Sequence, residues 1–285
     1  MYQEGVESCL VCNSGEMAEI YSGMLKKCLQ CGFVTAATLP DQTEILTLYQ
    51  GAYFTGEEYL DYDQDKPILQ KNFRKRIKNM VRMAGVGNIR SVLDVGCAYG
   101  FFGETVQEEI PGVRYLGLDI SAEAVSNAPS NVEVLNQDYL AYEVKDKFTD
   151  VCMWDVIEHL AYPDRFIEKI HSDLLPGGRL WLTTGNRGAI IPRLRGRRWR
   201  MIHPPTHLHY FSSKTLSRLL NRKGFDVVRI NHPFVARGWR QIFYSAFMLG
   251  KNPGPVVRKI YASIPSEMSI SVNTYDIMLF MAVRK

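Results

Sequence analysis

The sequence predicts an α/β fold, a mainly parallel sheet covered by helices, behind a small metal-binding module at the amino end. Three observations predict it. From Val92 onward, apolar runs ending in glycine or an acid alternate with helical stretches, the pattern of a parallel sheet. The first run, Val92-Leu93-Asp94-Val95, breaks into Gly96, with Gly100 and Gly103 after it; a buried strand entering a glycine turn and then a helix brings backbone close to a nucleotide-like ligand. Cys9, Cys12, Cys28 and Cys31 form two C-x2-C knuckles, the spacing of a four-thiolate zinc site.

Composition sets wide bounds. The 285 residues, 46% apolar, suffice for one α/β domain and an appendage. A net charge of +4 is too small to name a nucleic-acid partner. Met1 to Glu7 is polar and no eighteen-residue apolar run occurs, so neither a signal peptide nor a membrane span is expected and a cytoplasmic location is.

Residues 1–40 read as a zinc ribbon. About forty residues bury too little to fold alone, so the metal would supply folding energy, and four thiolates leave no open catalytic position. Gly32 lets the backbone turn around the second knuckle. Disulfides are the alternative and need an oxidising compartment, to which nothing points. Residues 41–85 form a connector rich in aromatic residues (Tyr49, Tyr53, Phe54, Tyr59, Tyr62) and a helix over Leu69–Ala84. Phe73, Ile77, Met80, Val81 and Ala84 recur there at helical spacing, which puts Lys71, Arg74, Lys75, Arg76, Lys78 and Arg82 on a solvated face. The tyrosines either cap a cofactor cleft or pack the connector onto the sheet.

Residues 86–285 carry the strands. The loop after the first is D-x-G-x-x-x-G with no lysine following, so a triphosphate has nothing to hold its charge. Tyr115–Asp119 is the second strand, and its terminal acid suits the two hydroxyls of a ribose. Val132–Leu135 leads into Asp138 and Tyr139, placed to frame an adenine. Phe148–Trp154 ends in Asp155, with Glu158 and His159 on the helix expected next. Pro176-Gly177-Gly178 turns into a fifth strand, Phe225–Asn231 is a sixth and Tyr275–Val283 a seventh. Cys97 and Cys152 read as small buried apolar residues. The loop from Arg187 to Tyr210, rich in arginine and histidine, is the expected acceptor side. A helical insertion over about 233–273 puts Trp239, Ile242, Phe243, Ala246, Phe247 and Leu249 largely on one face. That face is a lid over a hydrophobic or lipid-linked acceptor, a surface anchor, or a packing or homodimer contact.

In this order the glycine loop, the ribose acid, Asp138-Tyr139, D-V-I-E-H-L and L-P-G-G resemble the class I S-adenosylmethionine-dependent methyltransferases, over roughly residues 70–232 and the last strand. The resemblance implies a Rossmann-like seven-stranded sheet and S-adenosylmethionine as cofactor, bordered by Asp94, Gly96, Cys97, Gly100, Asp119, Ile120, Asp138, Tyr139 and Asp155. Methyl transfer to oxygen or carbon needs alignment and removal of one proton. His159 is the candidate base, with Glu158 and one of His203, His207 or His209, His207 foremost, positioning a small-molecule acceptor. D-V-I-E-H-L, L-P-G-G and the H-x-H-x-F-S stretch at His207 are similar to bacterial methyltransferases related to ubiquinone-biosynthesis O-methyltransferases, which implies a sugar or small metabolite as acceptor, in surface-polysaccharide or secondary-metabolite pathways. Glu158-His159 and the amino-terminal cysteines also resemble the zinc-containing deoxysugar C-methyltransferases, whose long carboxy-terminal substrate domain this chain lacks. An RNA-modifying enzyme gripping RNA with its ribbon is the alternative class, although the motif N/D-P-P-Y/F is absent. A cofactor-binding scaffold without chemistry is the third.

Overall fold

A short ribbon opens the chain. In the computed structural model, which describes residues 6–48, 62–248 and 253–285, β1 (Met17–Ile20), β2 (Leu25–Cys28) and β3 (Val34–Ala36) pair antiparallel. Asn13 and Gly32, each directly after the second cysteine of its knuckle, have φ of 62° and 78°, the left-handed conformation that folds the chain back tightly. Of the connector residues, Tyr49, Tyr53, Phe54 and Tyr59 lie outside the described residues, as does Leu249; Tyr62 is buried and stacks on Phe101.

The remaining elements are α1 (Gln42–Leu48), α2 (Lys66–Ala84), β4 (Ser91–Val95), α3 (Phe101–Glu109), β5 (Arg114–Asp119), α4 (Ala122–Ser126), β6 (Val134–Asn136), β7 (Phe148–Trp154), α5 (Pro163–Asp173), β8 (Leu174–Gly185), α6 (Ile190–Arg195), β9 (His209–Tyr210), α7 (Ser213–Arg222), β10 (Phe225–Asn231), β11 (Val235–Gly238), α8 (Trp239–Phe247), α9 (Pro255–Ser263), β12 (Ser269–Val272) and β13 (Ile277–Arg284). Seven strands make the main sheet, in the order β10-β13-β8-β7-β4-β5-β6. Those from β8 to β6 are parallel, and β13 runs antiparallel to both its neighbours. The chain leaves β4 toward β5 and β6, then returns to the other side of β4 as β7. That reversal opens a crevice beyond the carboxyl ends of β4 and β7.

Alternation along the strands builds two cores. Leu93, Leu116, Val151 and Leu180 face Ile167 and Ile170 of α5 and Leu216 and Leu219 of α7. Val92, Tyr115, Cys152 and Trp181 face Phe73, Ile77 and Met80 of α2 and Phe102 of α3. The ribbon joins the first core through Cys9, Val11, Cys28 and Phe33. It is also stitched to the rest of the chain: β3 pairs antiparallel with β9, and Arg222 at the end of α7 donates to the Val11 carbonyl and, at 3.1 Å, to Asn13 Oδ1. Ser212 caps α7 as its spacing suggests, accepting from Thr215 N–H at 3.2 Å.

Three expectations are corrected. Glu158 and His159 lie on a turn, not a helix; Pro163, with its fixed φ and missing N–H, sets the start of α5 four residues later. The acceptor-side stretch is not a bare loop, because α6 and a 3₁₀ turn at Gly196–Arg198 occupy its first half. The insertion is a two-stranded ribbon of β11 and β12 carrying α8 and α9; on α8, Trp239 and Phe247 are exposed, while Phe243 packs against Phe247 and Tyr261 of α9. Among the described residues no helix is long and apolar enough to cross a membrane.

Candidate active site

The switch point is built by close approach. A Cβ on Gly96 would lie 2.7 Å from Val156 Cγ2, and one on Gly100 3.0 Å from Val134 Cγ2. Both glycines have positive φ, 74° and 69°, so glycine is required by conformation and by the neighbouring valines. A side chain at either position would meet a neighbouring valine first. Between them, Ala98 N–H donates to Asp119 Oδ2 at 2.8 Å, while Ser121 N–H donates to Oδ1 at 2.9 Å. The tip of β5 is thereby tied to the glycine turn.

Asp94 sits on the apolar α2 and α3 side of β4, 1% exposed. Its Oδ2 accepts from the Tyr115 hydroxyl at 2.8 Å, and its Oδ1 is buried with no hydrogen-bond partner. Burial, with the charge of Asp119 adding to it, pushes the Asp94 pKa up to about 7 against the pull of Tyr115 and Arg76. Cys97 is buried and held well above its ordinary pKa, first by burial and then by Asp119 and Asp94, as expected of an unreactive thiol. Ile120 is half-buried after β5. Asp138 is near it in the fold, since Gln137 N–H donates to the Asp119 carbonyl at 3.0 Å; Asp138 Oδ1 accepts from Leu140 N–H. The Tyr139 side chain points elsewhere: it is 2% exposed and donates to Asp173 Oδ2 at 2.8 Å in the first core. It cannot wall an adenine with its ring.

Beyond β7 a second cluster forms. Asp155, at φ 58°, pairs with Arg76 at 2.8 Å. One ligating atom each of Glu158, His159 and His207 lie within 4.8 Å of one another, and the two imidazole rings are 4.5 Å apart, edge to face. His159 Nδ1 is 2.9 Å from the Thr206 carbonyl and His207 Nδ1 is 2.9 Å from the Met201 carbonyl. A carbonyl only accepts, so each Nδ1 carries the proton and each Nε2 the lone pair. Burial pushes His159 down to about 4 and His207 to about 2, so both rings are neutral at pH 7. The His203 ring lies against that of His207, tilted by 38° with centroids 3.9 Å apart. His209 is not part of this group: it is 1% exposed, its Nδ1 lies 3.0 Å from Thr35 Oγ1 of β3, and burial lowers it to about 4. Its backbone N–H, with that of Leu208, donates to the Glu158 carbonyl at 3.1 and 2.8 Å, so the ribbon-bound strand β9 also fixes the Glu158 turn.

The four ribbon sulfurs also converge. Cys9 and Cys31 Sγ are 3.5 Å apart, as are those of Cys12 and Cys28, and all four lie within 4.8 Å of one another as free thiols. Sulfurs about 2.3 Å from one tetrahedral ion stand roughly 3.8 Å apart, against about 2.05 Å in a disulfide. Burial would raise Cys28, but the Cys31 N–H and the neighbouring thiols outweigh it and hold Cys28 at about 7.

A profile of the methyltransferase domain matches residues 59–230. The chain belongs to the methyltransferase domain family. Its fold is that of the class I enzymes: it resembles a SAM-dependent methyltransferase from Archaeoglobus fulgidus (TM-score 0.52, 19% identity, 77% of this chain and 94% of that one). It also resembles magnesium protoporphyrin IX methyltransferase from Synechocystis with bound SAH (TM-score 0.53, 16% identity, 86% and 100%). In sequence, the ubiquinone biosynthesis O-methyltransferase of Coxiella burnetii is 27% identical over 121 residues, 40% of this chain and 49% of that protein. The chain thus spans about half the length of the curated relatives it matches.

In this methyltransferase, sequence reasoning missed two arginines, Arg76 and Arg237, while Arg200 falls in the arginine-rich loop expected on the acceptor side. A cavity of about 230 Å³ is lined by Trp154, Asp155, Glu158, His159 and His207 together with Arg76, Arg200 and Arg237. Arg76 is not on the solvated face of α2; it stacks on Trp154 at 4.8 Å and on Phe73 at 5.4 Å. Its spacing of three from Phe73 on a helix was the signal. Arg237 had none, because an insertion reads alike whether it lines a cavity or faces water.

Proposed function

We propose that the chain is an S-adenosylmethionine-dependent methyltransferase acting on oxygen of a small hydroxylated acceptor, a sugar or secondary metabolite, with one structural zinc on Cys9, Cys12, Cys28 and Cys31. The ribbon, residues 1–40, and the connector, 41–85, serve the catalytic domain, 86–285, as a support for its acceptor side. One observation carries the cofactor reading: the buried Asp94 oxygen without a partner, beside a glycine turn tied to Asp119. A cationic nucleoside ligand suits both acids. When bound, S-adenosylmethionine supplies a methyl group on a sulfonium. Gly96, Cys97 and Gly100 give it backbone, Asp119 accepts from ribose hydroxyls, and Ile120 and Asp138 border the base. Oxygen as acceptor is supported by the O-methyltransferase relative, and a small acceptor by a cavity below the roughly 300–1,000 Å³ usual for drug-sized ligands.

The cofactor reading is tested by calorimetry across pH. Asp94 is an acid raised to about 7, so the free protein holds it protonated below that pH. A positive ligand favours the ionised form, so binding should release a proton and tighten as pH rises from about 5 to about 8. Asp94→Asn should flatten that dependence, and Asp119→Ala should weaken binding by about 1–3 kcal/mol. No binding of S-adenosylmethionine at any pH would overturn the reading.

For the chemistry, His159 takes the acceptor proton on Nε2 while Glu158 and His207 orient the hydroxyl; Asp155, paired to Arg76, holds the turn. A second reading is favoured by the geometry of the same three residues. Two imidazoles with Nδ1 fixed on carbonyls and a carboxylate beside them make a ligand set for a divalent cation, which would lower the pKa of the acceptor hydroxyl. Titration of chelator-treated protein with zinc or manganese decides between them. Two metal equivalents, falling to one in His207→Ala, support the cation; one equivalent in both supports the base.

A further inference from the structure

We propose that Arg237, with Arg200 beside it, forms an anion subsite in the acceptor cavity, so that the methyl acceptor carries an acidic group, a carboxylate or a phosphate ester, besides the hydroxyl that is methylated. The proposal rests on the methyltransferase reading above and narrows its substrate class.

Three arginines line the cavity, and two are matched by carboxylates. Arg76 pairs with Asp155 at 2.8 Å. Arg200 is 3.4 Å from Asp276, whose carboxylate also accepts from Trp199 Nε1 at 3.1 Å and from the Thr274 hydroxyl. Arg237 is half-buried, and its guanidinium makes no hydrogen bond or ion pair with a described residue, Asp276 acting on it only as a more distant charge. Burial, and then the charge of Arg200, lower its pKa, with Asp276 opposing. A half-buried guanidinium next to another cation is costly to hold without an anion. A planar fork of donors meets a carboxylate or phosphate through two parallel hydrogen bonds.

The backbone that carries Arg237 is held in place. Arg237 lies on β11, paired with β12 opposite Ile270. The residue before it is clamped to α2: Ala236 N–H donates to Asn72 Oδ1 at 2.7 Å, and Asn72 Nδ2 donates to the Ala236 carbonyl at 3.0 Å. The other carboxylates of the lining are Asp155, taken by Arg76, Glu158 in the histidine cluster, and Asp65 before α2. Arg200 acts on His207 as a charge, and Arg237 lines the same cavity as His159 and His207. The insertion thereby supplies a specificity residue that the family-matched segment, 59–230, does not contain.

The test uses full-length protein saturated with S-adenosylhomocysteine and titrated calorimetrically with inorganic phosphate and, separately, with benzoate. At least one anion should bind saturably, with affinity about tenfold or more lower in Arg237→Gln and between the two in Arg237→Lys, which keeps the charge but not the planar fork. The exposed Arg193→Gln should bind like the parent protein. Phosphate preferred over benzoate marks a phosphate ester, and the reverse a carboxylate. Binding unchanged in Arg237→Gln, or binding of neither anion to protein that does bind S-adenosylhomocysteine, overturns the subsite alone. Failure to bind S-adenosylhomocysteine overturns the methyltransferase reading, and the subsite with it.

Discussion

Stripping the metal from Cys9, Cys12, Cys28 and Cys31 should unfold the ribbon and disable the acceptor side while S-adenosylmethionine still binds. Structural zinc sites supply on the order of 10 kcal/mol of folding free energy, and β1, β2 and β3 are three or four residues each, too short to stand without it. The damage should spread along hydrogen bonds. Loss of β3 removes the partner of β9 and the Thr35 contact of His209, and β9 in turn holds the Glu158 carbonyl. The backbone of the glycine loop between β4 and α3 is held by β5 instead, Gly96 and Cys97 N–H donating to the Leu118 carbonyl. Cys28→Ser should therefore cost acceptor turnover far more than donor affinity, with early protease cleavage near residues 10–35. Thr35→Val, which keeps the metal and the strand, should reproduce part of the turnover loss. Metal-free protein with an intact ribbon, or with the four sulfurs as disulfides, would refute the assignment.

His159→Ala should lower turnover by about 10²–10⁴-fold and leave donor binding intact. The acid limb of kcat/KM should lie near pH 4 and not near the ordinary 6.5, because burial holds the His159 imidazolium unfavourable. The sign follows from the depressed value: the ring is neutral and competent above about 4, and activity is lost only as pH falls through it. An acid limb that survives unchanged in His159→Ala would take the base away from His159 and onto another group of the cluster. Unchanged turnover in His159→Ala would leave alignment alone to carry the reaction.

Much of the fold was legible because buried parallel strands write themselves as short apolar runs between helical stretches. Leu93 and Val92, or Met153 and Cys152, go to opposite faces by strand geometry alone. The glycine turn, the acids at the ends of β4, β5 and β7, and the two knuckles were equally plain, since each is local in the chain. Where local signals competed, the reading failed. D-V-I-E-H-L looked helical, yet Pro163 takes the helix start. Tyr139 beside Asp138 looked like a pocket wall, yet Asp173, thirty-four residues away, takes its hydroxyl.

The sequence by itself determined the sheet, its glycine turn, the family and the four-cysteine module, because these depend on periodicity and on spacings of a few residues. Only the tertiary structure decided that the module reaches the Glu158 turn through β3 and β9, that Glu158 and His159 meet His207, and that Arg76, Arg200 and Arg237 share one cavity. Those meetings join segments from about fifty to more than a hundred and seventy residues apart. Contacts at such separations come from how elements pack on the sheet, and no residue carries that information by itself.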